Sequence, residues 1–159
     1  MKSRIILVGV GGSGKDFLKR KFMERGWIPC ITHTTRPMRS TETDGVDYHF
    51  TNPEEFQELV KSDKLLEHHQ FNGWYYGTDA NEFENANLLI ISPVTIRNVM
   101  TPEFRKNSLI IFLDIPETIR RERLNLRSDA DSTERRIQSD IEDFKDFTDY
   151  DIRITNPDF

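Results

Sequence analysis

The seven residues Gly9-Val-Gly-Gly-Ser-Gly14-Lys15 match the spacing G-x-x-x-x-G-K, between an apolar run and an amphipathic stretch. That pattern cradles phosphate. Gly9, Gly11, Gly12 and Gly14 let successive backbone amides, Ser13's among them, curl around phosphate oxygens without side-chain clashes. The helix that follows points its positive end at the same anion. Lys15 reaches the outer phosphates as a mobile point charge. The next position breaks the rule, because Asp16 stands where Ser or Thr would ligate magnesium. A carboxylate beside phosphates repels them unless a cation lies between, so one role for Asp16 is a magnesium neighbour, direct or through water. The other is an acidic residue in the first helical turn, favoured by the helix dipole.

A second group of chemically capable residues lies between Thr32 and Thr78. Arg36 and Arg39, three apart, offer two guanidinium forks. With the phenols of Tyr48, Tyr75 and Tyr76 they can clamp a phosphate dianion. Glu67, a lone carboxylate among Thr hydroxyls, can accept from donors on a base edge. A third group is the arginine run from Arg120 to Arg136. In isolation it reads as a salt-bridged surface helix, the expectation kept for Arg120, Arg121 and Arg135. Adjacent His68 and His69 do not share a helix face as zinc ligands would, so packing or surface roles are expected of them.

These groups need a scaffold. At 159 residues the chain fits one domain with a real core. Hydrophobic content of 36%, charged content of 31% and eleven Phe exclude a disordered chain. The apolar runs `RIILVGV`, `NLLIIS` and `SLIIFLDI` are too short to span a bilayer and suit buried strands. No secretory leader is expected, since few apolar residues separate Lys2 and Arg4 from the glycine turn. The single Cys, Cys30, fits a reducing cytoplasm and a core position. A net charge of −5 argues against a nucleic-acid partner, while local arginines favour a small anion. Strands are expected at 3–8, 27–32, 86–92, 108–114 and 150–155. Helices are expected at 15–25, from Pro53 after a cap by Thr51 or Asn52, at 116–127 and at 132–147. Alternating strands and helices imply a parallel sheet covered on both faces. Asp114 is expected to be structural.

In order and spacing, `TTRPMR`, `DGVDYHF`, `LLE` and `YYGT` resemble the GMP-binding blocks of the guanylate kinase family, and the similarity runs from the glycine loop to the chain end. The resemblance implies a P-loop NTPase-type α/β fold: a parallel sheet flanked by helices (1–31 and 79–159), a nucleotide-binding insert (32–78) and a short lid (about 124–136). It implies transfer of the γ-phosphate of ATP to GMP or dGMP with Mg²⁺, in a cytoplasmic monomer or homodimer with no membrane or nucleic-acid partner. Arg36, Arg39, Tyr48 and Tyr76 match positions that hold the acceptor phosphate. Thr32, Glu67 and Thr78 match those that read guanine. Guanine N1–H and N2–H can donate to Glu67; adenine lacks the N1 donor and leaves the carboxylate unpaired. Arg127 and Arg136, with Arg123 close by, match the catalytic lid arginines, and Asn156 matches a residue near the donor adenine.

Three departures stand out. Asp16 replaces the metal-binding hydroxyl, `LLIIS` ends in Ser92-Pro93 where the family usually carries acidic residues, and residues 157–159 do not supply the terminal helix that the resemblance leads one to expect after Asn156. One reading links the first two, with Asp16 supplying the carboxylate the strand end has lost. The rival expectations are a non-catalytic guanylate-kinase-like module gripping a phosphorylated partner, and a kinase for another or modified nucleotide.

Overall fold

The computed structural model describes residues 2–127 and 132–159. In chain order the elements are β1 (Arg4–Gly9), α1 (Lys15–Met23), β2 (His33–Thr34), β3 (His49–Phe50) and α2 (Pro53–Lys61). There follow β4 (Leu65–Phe71), β5 (Trp74–Asp79), α3 (Ala80–Asn85), β6 (Leu88–Ile90) and α4 (Pro93–Val99). The last are α5 (Pro102–Lys106), β7 (Ser108–Leu113), α6 (Glu117–Asn125), α7 (Thr133–Phe144) and β8 (Ile152–Ile154).

The core sheet has the order β6-β1-β7-β8 with every pair parallel. Strands β6, β1 and β7 read as continuous apolar runs because both faces are covered, while the edge strand β8 is largely exposed. Alternation divides β1 between two cores. Ile6 and Val8 pack with Leu89, Ile110, Phe83 and Phe104 on one face. Ile5 and Leu7 pack with Leu88, Ile111 and Leu113 on the other, under Leu18, Phe22 and Trp27. Cys30 packs against the first core, and burial pushes its thiol up to about 12, which leaves it inert.

The expected strand at 27–32 is reduced to one parallel bridge, Pro29 with Leu88. Ile28 and Cys30 still exchange hydrogen bonds with Leu88, but Pro29 has no N–H with which to extend a ladder. Arg120 also differs from expectation. It is 7% exposed and its Nε donates to the Ile115 carbonyl at 2.9 Å, so it belongs to the interior. Arg121 does pair on the surface, with Glu117 and Glu134. Asp114 is structural as expected, accepting from Arg153 on β8.

Residues 33–79 build a second sheet of order β3-β2-β5-β4. Its β4–β5 hairpin turns at Asn72-Gly73, both at positive φ (53° and 82°). That is the conformation a tight hairpin needs, and Asn-Gly supplies it at least cost. Helix α2 covers this sheet, opened by a capping box between Asn52 and Glu55 with Pro53 in the first turn. Its Phe56 is wholly buried, with its ring stacked on Tyr75 at 5.4 Å. Phe56→Ala should lower the unfolding free energy by about 3–5 kcal/mol in denaturant titrations, with Phe56→Leu much milder.

Candidate active site

The strand-to-helix turn after β1 holds its shape at two strained points. Gly12 has φ +77°, and a Cβ there would meet the Arg120 carbonyl at 3.0 Å. Gly14 caps α1 at φ +94°, with the Phe159 ring 3.0 Å from the place of a Cβ. Both positions need glycine for conformation and for space. Lys15 Nζ donates to the carbonyls of Gly9 and Val10, and burial lowers its pKa against the pull of Asp16 and Asp140. Asp16 lies in the first turn of α1, exposed, on the wall of the same cavity.

That cavity, of about 390 Å³, is lined by Gly9, Gly11, Gly12, Ser13, Gly14, Lys15 and Asp16 on one side. Facing them are Thr32, just before β2, then Arg36, Arg39, Tyr48, Glu67, Tyr76 and Thr78 from the second sheet and its loops, and Arg127 and Arg136 from the α6 and α7 side. Strand alternation explains the wall that faces the loop. Glu67, His69 and Phe71 share one face of β4, and Glu67 and His69 pair in register with Thr78 and Tyr76 of β5. The Thr78 hydroxyl donates to Glu67 Oε1 at 2.7 Å, and His69 Nδ1 lies 3.3 Å from Glu67 Oε2. The His69 ring stacks on Tyr76 at 5.8 Å. Sequence reasoning gave His69 a packing or surface role; the alternation about Asn72-Gly73 is the signal that puts it beside Glu67.

Arg36, only 4% exposed, is gripped by Glu42. Its NH1 and NH2 reach the two carboxylate oxygens at 3.1 and 2.7 Å, and its guanidinium lies over Tyr48, 5.2 Å from the ring centroid. Glu42 also accepts from the Arg39 amide at 2.8 Å. Burial opposes ionisation of Glu42, but the bonds from Arg36 and Arg39 outweigh it and hold the carboxyl below its usual range. Burial, reinforced by Asp16, raises the Tyr48 phenol, which therefore stays a neutral donor. Glu42 was not singled out from the sequence; its place three residues past Arg39 was the available clue.

Two expected residues lie away from the cavity wall. Arg123 braces the loop from behind, donating to the carbonyls of Gly12 at 3.1 Å and Pro157 at 3.2 Å. Asn156 is exposed and accepts from the Asp158 amide at 2.9 Å. The tip of the expected lid, residues 128–131, lies outside the described residues. The end of β6 brings Ile90, Ile91 and Ser92 to the cavity, with no carboxylate among them, and the Ser92 hydroxyl caps α4. The opposite wall is acidic: α7 contributes Asp140 and Asp143. Asp140 Oδ2 accepts from the Gly11 amide at 2.8 Å. Burial pushes the Asp140 carboxyl above its usual range despite that bond and despite Lys15, Arg120 and Arg136. Among the described residues, no three His, Cys, Asp or Glu side chains gather as a metal cage.

A glycine loop between a buried parallel strand and a helix, facing a second cationic wall across one cleft, defines a P-loop NTPase-type fold. Comparison with known proteins narrows this. The guanylate kinase family model matches residues 1–159, and the chain belongs to that family. It is similar to the guanylate kinase of Chlorobium luteolum, 32% identical over 137 residues that span 80% of this chain and 68% of the relative. The guanylate kinase of Latilactobacillus sakei is 28% identical over 96% of this chain and 80% of its own length. MAGUK p55 subfamily member 7 of Danio rerio is 31% identical over 77% of this chain, which spans only 23% of that protein. The crystal structure of guanylate kinase from Anaplasma phagocytophilum superposes with a TM-score of 0.71 at 26% identity, covering 99% of this chain and 79% of that one.

The Glu42–Arg36 bridge yields a measurable effect. Glu42→Gln should destabilise the fold by about 1.5–3 kcal/mol at neutral pH, the range for hydrogen bonds to charged groups. Because the Glu42 carboxyl is depressed in the fold, its contribution is present above the ordinary glutamate range and is lost as pH falls through the lowered value. Thermal melts of wild type and variant should therefore converge in acid.

Proposed function

We infer that this chain transfers the γ-phosphate of ATP to GMP or dGMP, giving ADP and the corresponding diphosphate. One observation carries the reading: the phosphate loop, the arginine–tyrosine clamp and the Glu67–Thr78 pair face one another across a single cleft.

The division of labour follows from the walls. Loop amides and Lys15 hold the donor's outer phosphates. Arg36, Arg39, Tyr48 and Tyr76 hold the acceptor's phosphate, with Arg36 already oriented by Glu42. Glu67 accepts hydrogen bonds from guanine N1–H and N2–H, and Thr32 and Thr78 donate or accept at the remaining edge. A site built around such a buried acceptor rejects a base lacking the donors by about 10⁴-fold. Arg127 and Arg136 neutralise charge on the transferring group, with Arg123 supporting the loop they face. Asn156 lies on the exposed segment expected near the donor base. Phosphoryl transfer needs positioning and charge neutralisation more than covalent help, so the assignment includes no general base.

The residues present fit a magnesium ion carried mainly by the nucleotide's phosphates. Mg²⁺ is ordinarily held by one or two carboxylates plus phosphates and water, and Asp16 offers such a carboxylate beside Lys15. When bound, such an ion would supply charge neutralisation on the donor's phosphates, with Asp16 as the residue that would hold it. The natural setting is the cytoplasm, with small nucleotides as partners and a monomer or homodimer as the assembly. No helix among the described residues is long and apolar enough to cross a membrane.

A coupled ADP-release assay with ATP against GMP, dGMP, AMP, UMP and TMP tests the reading. Turnover should be confined to GMP and dGMP, and Lys15→Ala should lower kcat by about 10²- to 10³-fold. No turnover with any acceptor, alongside tight phosphopeptide binding, would establish the non-catalytic module instead. Asp16→Ala should shift the Mg²⁺ concentration needed for half-maximal rate, with Asp16→Ser restoring it. An unaltered requirement in Asp16→Ala removes the metal role.

A further inference from the structure

Helix α7 carries Arg136, Ser139, Asp140 and Asp143 at i, i+3, i+4 and i+7. On a 3.6-residue helix these positions form one face. Arg136, Asp140 and Asp143 line the cavity. Adjacent residues of that face touch the two walls between which a phosphoryl group would pass. Asp140 Oδ2 takes the Gly11 amide of the phosphate loop at 2.8 Å. The Ser139 hydroxyl donates to Asn72 Oδ1, at the tip of the hairpin that carries Glu67 and Tyr76, at 3.2 Å.

The far end of α7 is fixed independently. Phe144 stacks on Phe112 of β7 with centroids 5.6 Å apart and planes 10° from parallel. The helix is thus held at its base by the core, in its middle by the loop, and on its flank by the hairpin. Arg136 lies one turn from Asp140 on the same face, so any slide or rotation of α7 that loosens Asp140 displaces Arg136 equally. Helix α6 takes its bearing from the same loop, through Arg123 on the Gly12 carbonyl.

We propose that Asp140 is a positioning residue, whose bond to the Gly11 amide registers α7, and with it Arg136, against the phosphate loop. Through Ser139 and Asn72 the same helix passes that registration to the acceptor hairpin, so the donor and acceptor sites are energetically coupled. This inference rests on the kinase reading. The acceptor oxygen at Gly11 does the work, while the charge of Asp140 serves to balance Lys15, Arg120 and Arg136.

The test uses the full chain with Asp140→Ala, Asp140→Asn, Ser139→Ala and the Asp140→Ala/Ser139→Ala double variant. Asp140→Asn is isosteric and keeps an oxygen for the Gly11 N–H, so it reports even if Asp140→Ala fails to fold. Steady-state kinetics should show kcat of Asp140→Ala lowered about 10- to 100-fold with KM for GMP changed less than about 3-fold, the pattern of an interaction made chiefly in the transition state. Asp140→Asn should recover to within about 5-fold of wild type, and Ser139→Ala should raise KM for GMP about 3-fold and leave KM for ATP alone. Calorimetric titrations should show ADP tightening GMP binding, and GMP tightening ADP binding, by one common factor of about 5, abolished in Asp140→Ala. The double variant should be non-additive. Wild-type kcat in Asp140→Ala, equal impairment of Asn and Ala, or strict additivity would overturn the proposal. Should wild type bind both nucleotides without turnover, the kinase reading fails, and the calorimetric coupling alone decides the role of Asp140.

Discussion

Strand β1 has no free side. It is paired on both edges by β6 and β7, and it is covered on both faces by separate apolar cores. The loop that follows therefore starts from a point that cannot shift, and its amides inherit a fixed direction. Every element that reaches the cavity is referred to that point. Helix α1 leaves from it, α6 is braced against it through Arg123, and α7 grips it through Asp140. The second sheet stands further off, and it meets the rest through its hairpin tip, through α3 and α4, and through Lys19 of α1, which donates to the Val46 carbonyl.

A cleft that gathers Lys15, Arg36, Arg39, Arg127 and Arg136 sets a second constraint. Cations brought together in a low-dielectric space repel one another, and each needs a counter-charge that does not block the site. The structure meets this with carboxylates that hold without filling. Glu42 binds Arg36 from behind, Asp140 shares itself between a backbone amide and the cations around it, and Asp16 stands at the rim. Neutral phenols at Tyr48 and Tyr76 lend dipoles without adding charge. The same arrangement explains how the end of β6 can be apolar at Ile90 and Ile91 while the cavity keeps acidic groups on α7.

The core and the chemistry differ in how well the sequence displays them. The parallel sheet was legible because strands buried on both faces must be continuously apolar, as `RIILVG` and `SLIIFL` are. The cavity-lining residues of the glycine loop were legible because their spacing follows from backbone geometry. The second sheet was not. Strands such as `LLEHHQF` and `WYYGTD` line a polar cleft with one face and meet α2 only in part with the other, so they carry no apolar run, and only Asn72-Gly73 marks their turn. Asp140 and Asp143 were hidden for a related reason. On a helix rich in Asp and Glu, nothing in the composition separates the inward carboxylates from the solvated ones, and only the helical period does so. Arg120 shows the limit from the other side: an arginine within a charged run looks like surface until the fold turns it inward.

The contrast between the cationic cleft and the acidic exterior reaches beyond the bound state. With a net charge of −5 the outer surface repels anions at long range, while the mouth of the cavity draws them in at short range. A small dianion crosses the first region at modest cost and is captured by the second. Salt shortens the reach of both fields, so the balance between long-range repulsion and short-range attraction shifts with ionic strength.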